Sequence, residues 1–451
     1  MDRTTELISS YALSIEYSDL PPATVHETKR RIIDSLGCAM GGFDSKPARI
    51  ARRLTSLTSS TFSSRVLGSG GLTSPEMAAF ANTVMVRYLD YNDTFVSPGS
   101  GHPSDMLPAV LAVADPCHSS GKAVITATVL AYEIYCRFAE QVSSREKGWD
   151  QGVFTVIGSA CAAAKILGLS EKQMAHAISL AIVPNLPLNQ TRVGELSMWK
   201  GCATAAATRN GVFAALLARE GMEGPYEPFD GRHGLWEQVT GPVRLVPLGG
   251  GETPFKINET TVKYFPSQIH TQVPIALALE LRKKVNIEEI ESINIETYGI
   301  ALQNAAGGPE KWDPKTRETA DHSLPYVVSM AFRDGALTPA SFTQERIRDP
   351  GLRPFMQKVR VRENPEFTRQ YPEAQVAQVE LLTRSGQRIV ERASYPKGHW
   401  KNPLTDAELE VKFHSLAQTV LKPEQSRQTL EVLGKLEEVD DIASVLELFQ
   451  V

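Results

Sequence analysis

The sequence predicts a mainly α protein in which a long helical region is followed by a smaller α+β segment. Three observations carry that prediction. Between Pro21 and about Leu248, Ala-, Val- and Leu-rich stretches recur with helical start and stop signals. Near Phe255 the texture changes: Asn286–Tyr298 and Val376–Tyr395 alternate apolar with polar residues, as half-buried strands do. After Asn402-Pro403, the capping-box pattern Thr405-Asp-Ala-Glu408 opens amphipathic helices that continue to Val451.

The elements follow in order. Pro21 and Pro22 open a helix that ends at Gly41-Gly42, with Val25, Ile32, Ile33, Leu36 and Met40 on one face. Thr73-Ser74-Pro75-Glu76 starts the next, which runs through Met85 toward Asp90. Met106–Ala114, Val124–Phe138 and Val153–Leu167 are apolar over much of their circumference and read as buried helices. A capping box at Ser170–Gln173 opens another, and Ala203–Ala218 follows, stopped by Gly221. In the α+β segment, Val376–Tyr395 reads as a hairpin around Arg384–Gln387, and Val359–Arg362 supplies a third strand. Helices at Val273–Lys284 and Pro325–Arg333 lie between. The last helices either finish this segment or return to the first.

At 451 residues the chain exceeds what one core organises, so two domains are expected. Lys and Arg number 47 against 52 Asp and Glu, a net charge of −5, which argues against general nucleic-acid binding. The five cysteines are far apart and form no C-x-x-C pair, so neither a disulfide framework nor a zinc or iron–sulfur site is expected. The start of the chain is acidic and lacks an apolar signal core, and no stretch has the apolar length of a membrane span. A cytoplasmic protein is the expectation.

The most informative segment is Tyr88–Asp105. It places Asp90, Asp93, Thr94 and His102 around a loop, Val96–Gly101, that contributes almost nothing to a core. With the helical register continued, Asp90 and Thr94 share a face. Acids are disfavoured at a helix C-terminus, so two of them there require another benefit. His102 precedes an apolar helix for which Ser104 or Asp105 is the simplest cap; the helix end favours a neutral imidazole, suited to proton transfer. Lys200, at the start of the Ala-rich helix, is electrostatically misplaced unless it holds an anion or snorkels to solvent. Lys263–His270 puts a second cation and a second histidine, His270, at the suspected boundary between domains. Asp321 reads as the cap of a helix carrying Tyr326, and Gly249–Gly251 as a linker.

Tyr88–Asp105, Trp199-Lys200, the stretch from Lys263 ending Ile-His-Thr-Gln, Asp321-His322 and Tyr395–Glu410 resemble, in order and over essentially the whole chain, the MmgE/PrpD family. The resemblance implies a helical domain made of residues 1–258 and 403–451, with an α+β lid domain inserted at 259–402. It implies a homodimer and a lyase acting on a small tricarboxylate without metal or organic cofactor. The reaction implied is dehydration of 2-methylcitrate to 2-methylaconitate, as in propionate metabolism. The alternatives are decarboxylation of cis-aconitate, isomerisation or epimerisation of a dicarboxylate and, in another class, a catalytically silent metabolite-binding dimer. Carried over by position, the catalytic residues would be Asp90, His102, Lys200, Lys263, His270 and Tyr326, with Thr94, Asp93 and Asp150 binding substrate. Asp150 stands where the decarboxylases carry a histidine, which draws the chain toward the dehydratase branch.

Overall fold

The computed structural model describes residues 1–245 and 247–451 and is mainly α. The helices of the first region are α1 (Arg3–Ser14), α2 (Pro22–Gly42), α3 (Lys46–Thr55), α4 (Pro75–Tyr88) and α5 (Leu107–Ala114). They continue with α6 (Gly121–Gln141), α7 (Gly152–Ile166), α8 (Glu171–Ile182) and α9 (Ala203–Arg219). In α7 every residue from Gly152 to Ala164 is buried, as its unbroken apolar circumference requires, and it packs between α6 and α9. α4 lies between α2 and α9, so its C-terminal end opens at the middle of the helical core. Two α-helices of this region were not anticipated. α1 is capped by the Asp2 side chain and α3 by Ser45; both are short amphipathic surface helices whose polar faces hid their period.

The core of this region runs through Ile8–Val262 and resumes at Leu404–Phe449. The C-terminal helices therefore return to the first region, where Asp406–Ala417 lies along α2 behind the capping box at Thr405 and Glu408. A second apolar core joins Phe265 to residues as far as Leu381. It is covered by a four-stranded sheet in the order Val359–Glu363, Ile290–Thr297, Ala377–Thr383, Arg388–Ala393. The first pair is parallel and the others are antiparallel. Ile290 and Ile293 both face inward because the register slips between Ile290 and Ser292, so one strand changes phase without losing its buried face. α10 (Gln272–Arg282) and the helix Leu324–Asp334 back this sheet.

All five cysteines are unpaired, four of them buried. Among the described residues no helix is long and apolar enough to cross a membrane.

Candidate active site

α4 ends at Tyr88, and two residues later the chain turns through a left-handed conformation at Asp90, with φ of +50°. Left-handed backbone costs a non-glycine residue about 1–3 kcal/mol, so surrounding contacts must hold it. The helical register therefore stops short, and Asp90 and Thr94 share no helical face. Thr94 instead pairs its main chain with Thr261, N–H to carbonyl at 2.9 and 2.8 Å in the two directions. That bridge lays the segment leading to Lys263 beside Asp90.

The buried Asp90 carboxylate pairs with Arg87, with Lys263 Nζ at 3.2 Å and with Lys200 Nζ at 3.5 Å. Lys263 Nζ also donates to the Asp90 carbonyl oxygen at 2.8 Å. Lys200 sits in a 3-10 turn, Met198–Gly201, ahead of α9. It neither snorkels nor awaits a distant anion: its ammonium lies between Asp90 and Asp321 Oδ1, the latter at 3.3 Å.

A second bridge, Phe95 to Gly101, folds the loop back and presses His102 against Asp93 and Thr94. His102 Nδ1 lies 2.7 Å from the Asp93 carbonyl oxygen and 3.1 Å from Thr94 Oγ1. A carbonyl only accepts, so Nδ1 carries the proton and Nε2 presents a lone pair, 3.9 Å from Asp90 Oδ1. Neither Ser104 nor Asp105 caps α5; the Ser104 N–H is instead held by Asp93 Oδ1 at 3.1 Å.

Asp321 does not cap the following helix. Ser323 does, accepting from the Tyr326 N–H at 3.1 Å. This frees Asp321 to take Arg317 at 2.9 Å, Lys200 and the Nδ1–H of His322. His322 thus has the same tautomer as His102, fixed here by a carboxylate.

Asp90, His102, His322 and Lys263 border a cavity of about 300 Å³. Its walls carry Arg87, Arg145, Arg192, Lys263 and Lys311 against two carboxylates, Asp90 and Glu310, and three histidines, His102, His270 and His322. Thr94 also lines it. Lys200 stands one layer behind, touching Asp90. Asp93 is behind the wall as well, and Asp150 reaches the cavity only through Arg192, whose Nε it accepts at 2.8 Å. Tyr326 lies elsewhere: its hydroxyl donates to the Ser341 carbonyl at 2.6 Å inside the second core. The hydroxyl beside His270 belongs to Tyr298, 2.7 Å from Nδ1.

Burial and charge polarise these groups. Burial alone would raise the Asp90 carboxyl, but Arg87, Lys200 and Lys263 outweigh it and hold it well below the usual carboxylate range. Burial pushes the Lys263 ammonium down to about 8 and lowers Lys200 too. Burial, then Arg87 and Lys263, keep His102 well below the ordinary histidine value; burial brings His270 and His322 to about 3. All three imidazoles are neutral at pH 7, with Lys263 an acidic ammonium beside them. Asp90, Asp321 and His322 bring ligand-type atoms within 4.8 Å of one another, a spacing that would suit a metal ion. The Lys200 ammonium lies between the two carboxylates and supplies the positive charge there.

Residues 6–246 match the MmgE/PrpD N-terminal domain, and residues 265–438 the MmgE/PrpD C-terminal domain. The chain belongs to the MmgE/PrpD family. It is 24% identical to human cis-aconitate decarboxylase over 99% of this chain and 94% of that protein. It is 28% identical to the 2-methylcitrate dehydratase of Escherichia coli K12, over 88% of this chain and 86% of the relative. The mitochondrial 2-methylcitrate dehydratase of Yarrowia lipolytica matches at 28%, over 88% and 80%. These names support a lyase.

Sequence reasoning did not assign His322, Arg87, Arg145, Arg192 or Lys311 to the site. Arg87, three residues before Asp90 on a helix face, was findable from spacing, and Asp321-His322 from adjacency. Arg145 and Lys311 reach the cavity only through tertiary structure.

Proposed function

We propose that this MmgE/PrpD member dehydrates a small tricarboxylate, with 2-methylcitrate to 2-methylaconitate as the reaction its site suits. The observation that carries the reading is the lining itself: five basic side chains against two acids, beside neutral imidazoles. A cavity with that excess of positive charge favours a multiply ionised acid, and burial strengthens each pairing.

In this reading Arg145 and Lys311 anchor carboxylates. Neither forms an ion pair with a carboxylate among the described residues, although Arg145 donates to the Ser100 carbonyl at 2.9 Å. Withdrawal of charge into the anchors acidifies the carbon-bound proton beside a carboxylate. His102 Nε2 takes that proton, and Asp90 stabilises the imidazolium that forms. The carbon–carbon double bond forms as the carbon–oxygen bond breaks, and the hydroxide leaves as water with a proton from Lys263, whose lowered basicity suits a general acid. His270 and Tyr326 are poorer donors here: the first is neutral and the second is remote. The same reading takes 259–402 as a lid over the groove and a homodimer as the working unit.

Decarboxylation of cis-aconitate is the second reading, favoured by the human relative that aligns over nearly the whole chain. Incubating the purified protein with each acid separates them. Unsaturated tricarboxylate from 2-methylcitrate supports dehydration, whereas carbon dioxide from cis-aconitate with no turnover of 2-methylcitrate overturns it.

A further inference from the structure

At and just past the end of α4, the four consecutive carbonyls of residues 88–91 are met by side chains rather than by helical N–H groups. Cations take all four. Arg317 donates to the Tyr88 oxygen at 2.8 Å and to the Leu89 oxygen at 3.3 Å. Lys263 takes the Asp90 oxygen, and Lys412 the Tyr91 oxygen at 2.9 Å. Arg317 belongs to the α+β segment and Lys412 to the returning C-terminal helix, and neither lines the cavity.

Satisfying a helix end accounts for the presence of cations but not for their second partners. Arg317 also binds Asp321 Oδ2 at 2.9 Å, and Asp321 holds Lys200 and His322. Lys412 also donates to the Lys263 carbonyl at 2.8 Å, pairs with the buried Asp34 and stands 3.8 Å over the Tyr91 ring. Arg317 therefore links the peptide carrying Asp90 to Lys200 by way of Asp321, and Lys412 links it directly to the main chain of Lys263. The left-handed turn at Asp90 is the sort of strained backbone that persists only when its surroundings over-determine it.

We propose that Arg317 and Lys412 are positioning residues: they hold the 88–91 peptide so that the Asp90 carboxylate meets Lys200 and Lys263, and they set turnover without touching substrate. The proposal rests on the lyase reading above and extends it to residues outside the cavity.

The test compares wild type with Arg317→Met, Arg317→Lys, Lys412→Arg and the pair Lys412→Met/Asp34→Asn, which leaves no buried carboxylate stranded. In Arg317→Met and Lys412→Met/Asp34→Asn with native circular dichroism, kcat is expected to fall on the order of 10²-fold with KM nearly unchanged, because the reacting groups are misplaced while the carboxylate anchors remain. Lys412→Arg is expected to restore most of that loss. Wild-type kcat in Arg317→Met or in Lys412→Met/Asp34→Asn, or a loss confined to KM in either, overturns the positioning role.

A second measurement needs no turnover: carbamylation of Lys263 by cyanate as a function of pH, read by mass spectrometry. Lys263 faces the Asp90 carboxylate and the positive Arg87 and Lys200, with His102 nearby. Losing the Asp90 contact makes its amine available at lower pH, so the labelling profile of Arg317→Met moves down. Identical profiles overturn the proposal. If wild type turns over neither acid, the lyase reading fails, and the labelling profile alone decides the positioning role.

Discussion

His102 Nε2 stands 3.9 Å from Asp90 Oδ1, while the opposite ring nitrogen is held 2.7 Å from the Asp93 carbonyl oxygen. The carbonyl fixes which nitrogen is bare, and the carboxylate waits on the side where a proton would arrive. This makes His102 a base whose charged form is stabilised only after it has acted.

Replacing His102 by Gln keeps a polar side chain of similar reach but removes the base. Turnover is expected to fall by about 10²–10⁴-fold, while calorimetry still detects tricarboxylate binding. Near-normal turnover in this variant would remove His102 from the mechanism.

Lys263 gives a pH signature. Its ammonium, pushed down to about 8 by burial, is present below that pH and lost as the pH rises through it. The rate should therefore decline on the alkaline side near pH 8. Lys263→Arg keeps its charge at every accessible pH, so the alkaline decline should vanish even though the maximal rate drops. A profile that keeps its limb in the arginine variant assigns the limb to another group.

Asp90 separates charge from backbone. Asn tolerates the left-handed conformation, so Asp90→Asn should lose turnover through the missing carboxylate while keeping its main-chain path. Asp90→Ala also lacks the charge and has no such tolerance. It should melt lower than the Asn variant, by the equivalent of about 1 kcal/mol. Equal melting temperatures would show that the turn stores no strain.

Tyr326→Phe tests a residue the family resemblance placed in the site and the structure places in the second core. Its hydroxyl serves only the Ser341 carbonyl among the described residues. Turnover should stay within about twofold of wild type, with a stability loss of about 1 kcal/mol. A drop in kcat without loss of stability would return Tyr326 to the chemistry.

Local patterns were enough for the long helices and the hairpin, because apolar period and capping residues are encoded in neighbouring positions. The capping boxes at Ser170 and Thr405 are examples. Of the cluster, Asp90 and Lys200 were legible as misplaced charges, Thr94 and His102 as polar neighbours of a loop with no core role, and Lys263 as a cation at the suspected domain boundary; the structure joins them. Its geometry was not legible. The exit of α4 at Tyr88 and the left-handed Asp90 depend on Arg317, Lys263 and Lys412, more than a hundred residues away in the chain. Asp321 is a good cap by residue type, yet Ser323 takes that role, because Lys200 and Arg317 supply Asp321 with charged partners no local reading sees.

The first core is split in sequence, with Leu404–Phe449 completing what Ile8–Val262 begins. During synthesis the ribosome must therefore release the Asp406–Ala417 helix before α2 gains its cover and Tyr91 its partner Lys412. A nascent chain halted around residue 400 holds every group that borders the cavity and still lacks the clasp that closes the corner around Asp90.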